Sequence, residues 1–223
     1  MTSIVIPYRI TNHTKELLYC LRSIENYLQG VGDIFIIGDL PEWIVNVIHI
    51  PYQDNPDWRF KEKNIYEKTL AACNDERVSN PFLFMNDDHY LMAKSDASEW
   101  PYLYTNNYPT SGKYFETTMF NTWGAIGDIT YFDIHCPILL HKNEYRNTVG
   151  KLDWSKPYGY CIKSVYCQDL IGSALNEPLE CNDNKLRLPY EMPLPCDFFS
   201  TSDKSFTEPI MRDLYPNKSK YER

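Results

Sequence analysis

The chain has 223 residues, a formal charge of −8 and a pI near 5.1; that is long enough for a sizeable core and too acidic for a general phosphate-tracking surface, although a local basic patch is compatible with it. Eighteen tyrosines among abundant aromatics argue for a folded chain with aromatic-lined clefts and against disorder. Seven scattered cysteines without a C-x-x-C pair read as reduced thiols in a cytoplasm rather than a disulfide framework or zinc site, and neither a signal pattern nor an apolar run near the roughly 20 residues of a membrane span is present.

Ser3–Ile6 is a short β-branched run closed by Pro7-Tyr8-Arg9, which predicts a buried first strand ending in a turn. Thr11, Asn12 or Thr14 is placed to cap a helix over Lys15–Gln29, where Leu17, Leu18, Leu21, Ile24, Tyr27 and Leu28 recur at helical spacing before Gly30. Asp33–Asp39 predicts a second buried strand ending in a carboxylate, and Val45–Ile50 a third. The polar loop Pro51–Trp58 leads past Arg59, Lys61 and Lys63 into a helix from Asn64 to about Cys73. This β-α-β-β opening, followed by another helix and strand, points to an α/β fold with right-handed crossovers.

Pro81–Tyr90 carries the most information. Four large apolar residues, Phe82 to Met85, end abruptly in Asn86, Asp87, Asp88 and His89. An apolar run without alternation suits a strand covered on both faces, and in an open α/β sheet ligands bind beyond the carboxyl ends of such strands. Adjacent carboxylates that are partly buried need an offsetting charge, which a hard divalent cation supplies. If the chain stays extended, Asn86 and Asp88 share one face while Asp87 and His89 share the other. The bland alternative is a solvated turn, since Asn and Asp favour turns.

The second half is less regular. Residues 91–128 read as long loops with a helix or hairpin around Tyr114–Thr122; Ile129–His135 resembles a strand; Ile138–Tyr145 opens a helix; Tyr158–Ser173 has helical spacing. Beyond Glu180 the Pro-rich chain predicts a tail wrapped over the domain. His135 can take or give a proton near neutral pH, and Asp133, two residues earlier on the same strand face, is positioned to orient it. Arg59, Lys61, Lys63, Lys142 and Lys163 are candidate phosphate partners or solvated surface. Trp58, Trp100, Trp123 and Trp154 read as stacking platforms or core.

Taken together, Glu16–Tyr27, Asp33–Asp39, Pro41-Glu42-Trp43, the helix near Asn64 and Phe82–Asp88 follow one another much as in the Stealth family of sugar-1-phosphate transferases, and His135-Cys136-Pro137 is similar to that family's later His-x-Pro segment. The nucleotide-binding half of that family resembles the GT-A glycosyltransferases, and the opening Ile4-Val5-Ile6-Pro7-Tyr8-Arg9 looks like that of a minimal GT-A enzyme. The resemblance implies a GT-A-like, Rossmann-like mixed sheet flanked by helices with an irregular carboxyl-terminal acceptor part. Residues 1–92 would form the nucleotide-sugar-binding half, and 93–223 the acceptor-binding and catalytic half of the same domain.

It further implies Mg2+ or Mn2+ on Asp87 and Asp88, with Asn86-x-Asp88 standing where GT-A enzymes carry Asp-x-Asp. A nucleotide-sugar, most simply a UDP-sugar, would lie against Pro7, Tyr8, Arg9, Asp39, Lys63 and Asn86. His135 and Asp133 would be catalytic, and the acceptor would be a glycan, lipid, protein or modified nucleic acid. The rivals to sugar transfer are Stealth-type sugar-1-phosphate transfer and a non-catalytic nucleotide-sugar-binding or scaffolding protein.

Overall fold

A computed structural model describes residues 1–10, 15–107, 112–127, 129–168, 170, 177–202 and 204–223; the proposed caps Thr11, Asn12 and Thr14 lie outside them. The first strand β1 (Thr2–Tyr8) is buried along its whole length and leads to helix α1 (Lys15–Tyr27). Short β2 (Leu28–Gln29), β3 (Val31–Gly38) and β4 (Ile48–Pro51) follow, then α2 (Lys61–Asn74) and β5 (Phe82–Phe84). Next come β6 (His89–Leu91), β7 (Ser95–Asp96), β8 (Leu103–Tyr104) and α3 (Lys113–Ile126). The chain continues through β9 (Ile138–Leu140), α4 (Lys142–Thr148), α5 (Ile162–Gln168), β10 (Leu179–Glu180), β11 (Phe198–Ser200) and α6 (Glu208–Leu214).

The central sheet runs β4-β3-β1-β5-β9, with its first four strands parallel and β9 antiparallel at the edge. This is a mixed α/β architecture, mostly parallel and flanked by helices, compatible with a Rossmann-like fold. Strand alternation divides the core between the two faces. Ile4, Ile6, Ile34 and Ile36 pack toward Leu17, Cys20, Leu21 and Ile24 of α1. Val5, Phe35, Ile37, Phe82 and Phe84 pack toward α2, α4 and α5. Burying both faces explains why these strands read as continuous apolar runs.

Topology matters more than element count. From β1 the chain moves outward through β3 to β4, then α2 carries it back to β5 on the other side of β1. The order therefore reverses between β1 and β5, and the carboxyl ends of those two strands diverge around a crevice.

Several expectations for the second half are corrected. Residues 129–137 form no strand: only Tyr131 pairs, in an isolated bridge with Thr105. Ile138–Leu140 is the antiparallel edge strand, and helix begins only at Lys142; three aliphatic residues packed against Phe82–Phe84 outweigh a weak helical spacing. The helix expected over Tyr158–Ser173 is confined to Ile162–Gln168 among the described residues. The carboxyl-terminal segment does wrap the domain: β11 pairs antiparallel with β6, and Arg22 of α1 bridges Glu222 at 2.8 Å. Among the described residues no helix is long and apolar enough to cross a membrane, and all seven cysteines are free.

Candidate active site

The crevice between the ends of β1 and β5 opens into a cleft of about 680 Å³. Pro7, Tyr8 and Arg9 come from the end of β1, and Asn86, Asp87 and Asp88 from the end of β5. His135 comes from the loop before β9. Seven of the ten residues singled out from sequence therefore share one cavity.

The acidic segment is not extended. Asn86 to His89 form a turn in which the His89 amide donates to the Asn86 carbonyl at 3.2 Å. The alternating-face expectation fails for that reason, and both Asp87 and Asp88 reach the cleft. His89 goes into the scaffold: it is fully buried, and its Nδ1 accepts from the Asn86 amide at 3.2 Å. That bond leaves the proton on Nε2, and burial pushes the imidazole pKa well down, so His89 is a neutral wedge under the turn.

Burial, then the adjacent charge of Asp88, raises the Asp87 carboxyl to about 7. Asp88 has Lys185 Nζ at 3.4 Å. The donor chemistry fits a hard divalent ion, since two carboxylates that repel each other at the mouth of a buried turn are relieved by one. Among the described residues there is no group of three or more His, Cys, Asp or Glu side chains able to hold an ion by themselves. An ion on Asp87 and Asp88 would thus take its other ligands from water and substrate oxygens, the usual habit of Mg2+ at phosphate sites.

Opposite the acids stands a row from α2. Lys61, Asn64, Ile65 and Lys68 line the cleft at positions i, i+3, i+4 and i+7, one face of the helix. Lys63, the lysine chosen from sequence, lies two residues off that face and pairs outward with Glu67 at 3.8 Å. Lys68 is buried; its Nζ donates to the Tyr8 carbonyl at 2.9 Å and bridges Asp54 at 2.7 Å. Its space is secured by Gly38 at the end of β3, with φ +121°, where an added Cβ would meet the Tyr8 carbonyl oxygen at 2.0 Å and Lys68 Nζ at 2.9 Å.

Tyr8 is 2 % exposed, and its hydroxyl has no hydrogen-bond partner among the described residues. The ring packs in the core beside α1, so the fold encloses this hydroxyl and the cleft is lined by the end of β1 rather than by the Tyr8 donor. Asp39 occupies a side recess of about 180 Å³, which shares Tyr8, Arg9 and Lys68 with the main cleft. There its carboxylate accepts from the Ile10 amide at 2.7 Å.

Asp133 is not the partner of His135. Its carboxylate accepts from the amides of Lys163 and Ser164, at 3.1 and 2.8 Å, and from the Ser164 hydroxyl at 2.6 Å, capping the start of α5. Without a strand over 129–135, the shared-face argument has no basis. The orienting group is Asp183, 48 residues downstream, with both carboxylate oxygens 3.1 Å from His135 Nδ1; it also accepts from the His135 amide at 3.0 Å. Burial alone would raise the Asp183 carboxyl, but the His135 hydrogen bonds and charge outweigh it and hold the pKa below its ordinary value. A carboxylate only accepts, so Nδ1 carries the proton, and in the neutral ring Nε2 is then the acceptor.

Sequence reasoning passed over Lys68, Lys185 and Asp183. Lys68 had a local signal, the seven-residue spacing from Lys61 on a helix; the other two arrive through long-range contacts that no local pattern announces. No protein-family model matches this chain, and no curated protein matches it. The fold and cleft by themselves define an α/β protein with an acidic and basic ligand crevice at the switch point of its sheet.

Proposed function

We propose that the chain is a metal-dependent glycosyltransferase of GT-A-like fold, moving a sugar from a nucleotide-sugar, most simply a UDP-sugar, to a hydroxyl acceptor. The observation that carries this reading is the pairing of Asp87 and Asp88 with Lys61, Lys68 and Lys185 in one cleft at the β1/β5 switch point. Such a mixture suits a ligand that brings a diphosphate together with its cation. A purely basic cleft would suit a bare phosphate, and a purely acidic one a cation.

Asp87 and Asp88 would hold Mg2+ or Mn2+, which when bound supplies fixed positive charge where the leaving diphosphate gains negative charge. Lys61 and Lys185 add charge from the cleft walls, while Lys68 holds the end of β1 in place. The Asp39 recess is suited to the nucleoside. His135, with Nδ1 held by Asp183, offers Nε2 to the acceptor hydroxyl and takes its proton as the new bond forms.

The test is product analysis with donors labelled in both sugar and nucleotide, using the full chain and Mn2+. Release of nucleoside diphosphate is expected. Release of nucleoside monophosphate would assign sugar-1-phosphate transfer instead, and donor binding without either product would make the protein a nucleotide-sugar-binding module.

A further inference from the structure

A second cleft, of about 390 Å³, opens beside the first and shares Lys61, Ile65, Asn86 and His135 with it. Its own walls are aromatic and aliphatic, with Phe84, Phe115, Tyr131 and Tyr160 facing Ile138 and Leu140 of β9. Most of the polar side chains that reach it are engaged by the fold, Arg187 among them through Asp183 at 3.4 Å, while Lys61 and Asn86 stand on the shared wall. Asp133 caps α5. Lys163 Nζ donates to the carbonyls of Ile134 and Cys136 at 2.8 and 2.6 Å. Thr118 Oγ1 donates to the carbonyls of Tyr114 and Tyr158, and Glu62 accepts from the Tyr114 hydroxyl at 2.8 Å.

An occupant covered in hydroxyls, such as a free sugar, would bury groups for which this cleft has few partners to spare. A flat apolar body would instead meet ring faces and aliphatic edges, the contacts aromatic molecules favour. At the shared wall, however, stands His135, with Nε2 left as an acceptor by the Asp183 bond. The cleft therefore has an aromatic and aliphatic interior and a polar side formed by His135, Asn86, Lys61 and Arg187.

Building on the transferase reading above, we propose that this second cleft is the acceptor site and that it takes an alcohol with a flat, apolar body, an aromatic alcohol in the simplest case. Its hydroxyl turns toward His135, and Asp183 serves as the positioning residue. In the step itself the acceptor oxygen forms a bond to the anomeric carbon of the donor. The bond from that carbon to the phosphate oxygen breaks, the diphosphate leaves with the electron pair, and the hydroxyl proton passes to Nε2 of His135.

The test uses the full chain and 4-methylumbelliferone, an aromatic alcohol followed by its own fluorescence. Saturable binding without donor or metal is expected, with no displacement by glucose. Phe115→Ala, which removes a wall, and Phe115→Trp, which narrows the cleft, should each weaken that binding at least tenfold while Mn2+-dependent UDP binding stays within about twofold. Asp183→Asn should leave the KM for the aromatic alcohol within about twofold and lower kcat at least tenfold, a split that a merely structural role would not produce. No saturable binding, or equal displacement by glucose, overturns the acceptor assignment while UDP binding leaves the transferase reading standing. Aromatic binding in a protein that does not bind UDP with Mn2+ removes the reading beneath it, and with it the assignment of this cleft to an acceptor.

Discussion

Residues 1–92 and 93–223 contribute to the same cleft in different ways. The first part is repetitive: strand, crossover helix, strand, with Pro7–Arg9 and Asn86–Asp88 delivered to the cleft because the strands end there. The second part has little regular structure, yet supplies His135, Lys185 and Thr201 through loops and short elements, with Asp183 holding His135 from behind. Thr201 donates to Glu16 of α1 at 2.8 Å, which ties the last segment directly to the first helix. In the first part a side chain's position follows from its place in a strand or helix; in the second it follows from what the loop packs on. Asp87 and Asp88, of the first kind, should govern ion and donor binding, and His135 and Asp183, of the second kind, turnover.

The largest expected effect falls on the first part. Asp88→Ala should weaken Mn2+-dependent UDP binding more than about a hundredfold with the circular dichroism spectrum unchanged, since one of two carboxylate donors is lost. Calorimetric titration decides it, and unchanged affinity removes Asp88 from the site. The second part should answer differently: His135→Ala is expected to lower kcat by about a hundredfold while donor affinity stays within about twofold, as for loss of a general base. Equal losses in both parameters would erase the division between the two regions.

Lys68 and Lys63 sharpen the comparison within a single helix. Lys68→Met should destabilise the fold by about 3 kcal/mol, because it strands Asp54 of a buried ion pair and frees the Tyr8 carbonyl. Lys63→Ala, whose pair with Glu67 is half-buried and long at 3.8 Å, should change stability by less than about 1 kcal/mol. Urea unfolding of both variants settles it; similar shifts would refute the facing of α2.

The smallest effect is a pH dependence. The folded-state Asp87 carboxyl, at about 7, lies above the ordinary carboxylate value, so the protonated form favours the fold. That contribution is complete at low pH and is lost as pH rises through about 7. An ion competes with the same proton, and so the rise in Tm caused by Mn2+ should be larger near pH 8 than near pH 5.5. A pH-independent increment would take Asp87 out of the ion's reach.

Apart from the short β2, which falls in the span expected to be helical, the order of strands and helices through β5 was legible in the sequence, because apolar periodicity and strand-end polarity are local properties of the chain. So, in the main, was the convergence of Pro7–Arg9, Asp39 and Asn86–His89, since parallel strands in one sheet deliver their carboxyl ends to one edge; Asp39, however, lies in the adjoining recess and His89 is buried beneath the turn. Three other matters were decided by the structure against the first reading of the residues. The turn at Asn86–His89 aimed both carboxylates into the cleft, helical phase exchanged Lys63 for Lys61 and Lys68, and long-range packing replaced Asp133 with Asp183 as the partner of His135. The physical reasons differ: the phase of α2 is a local pattern that the Lys61 to Lys68 spacing carries, the turn is a short-range choice between extended chain and a bend, and a hydrogen bond spanning 48 residues exists only once tertiary packing has brought donor and acceptor together.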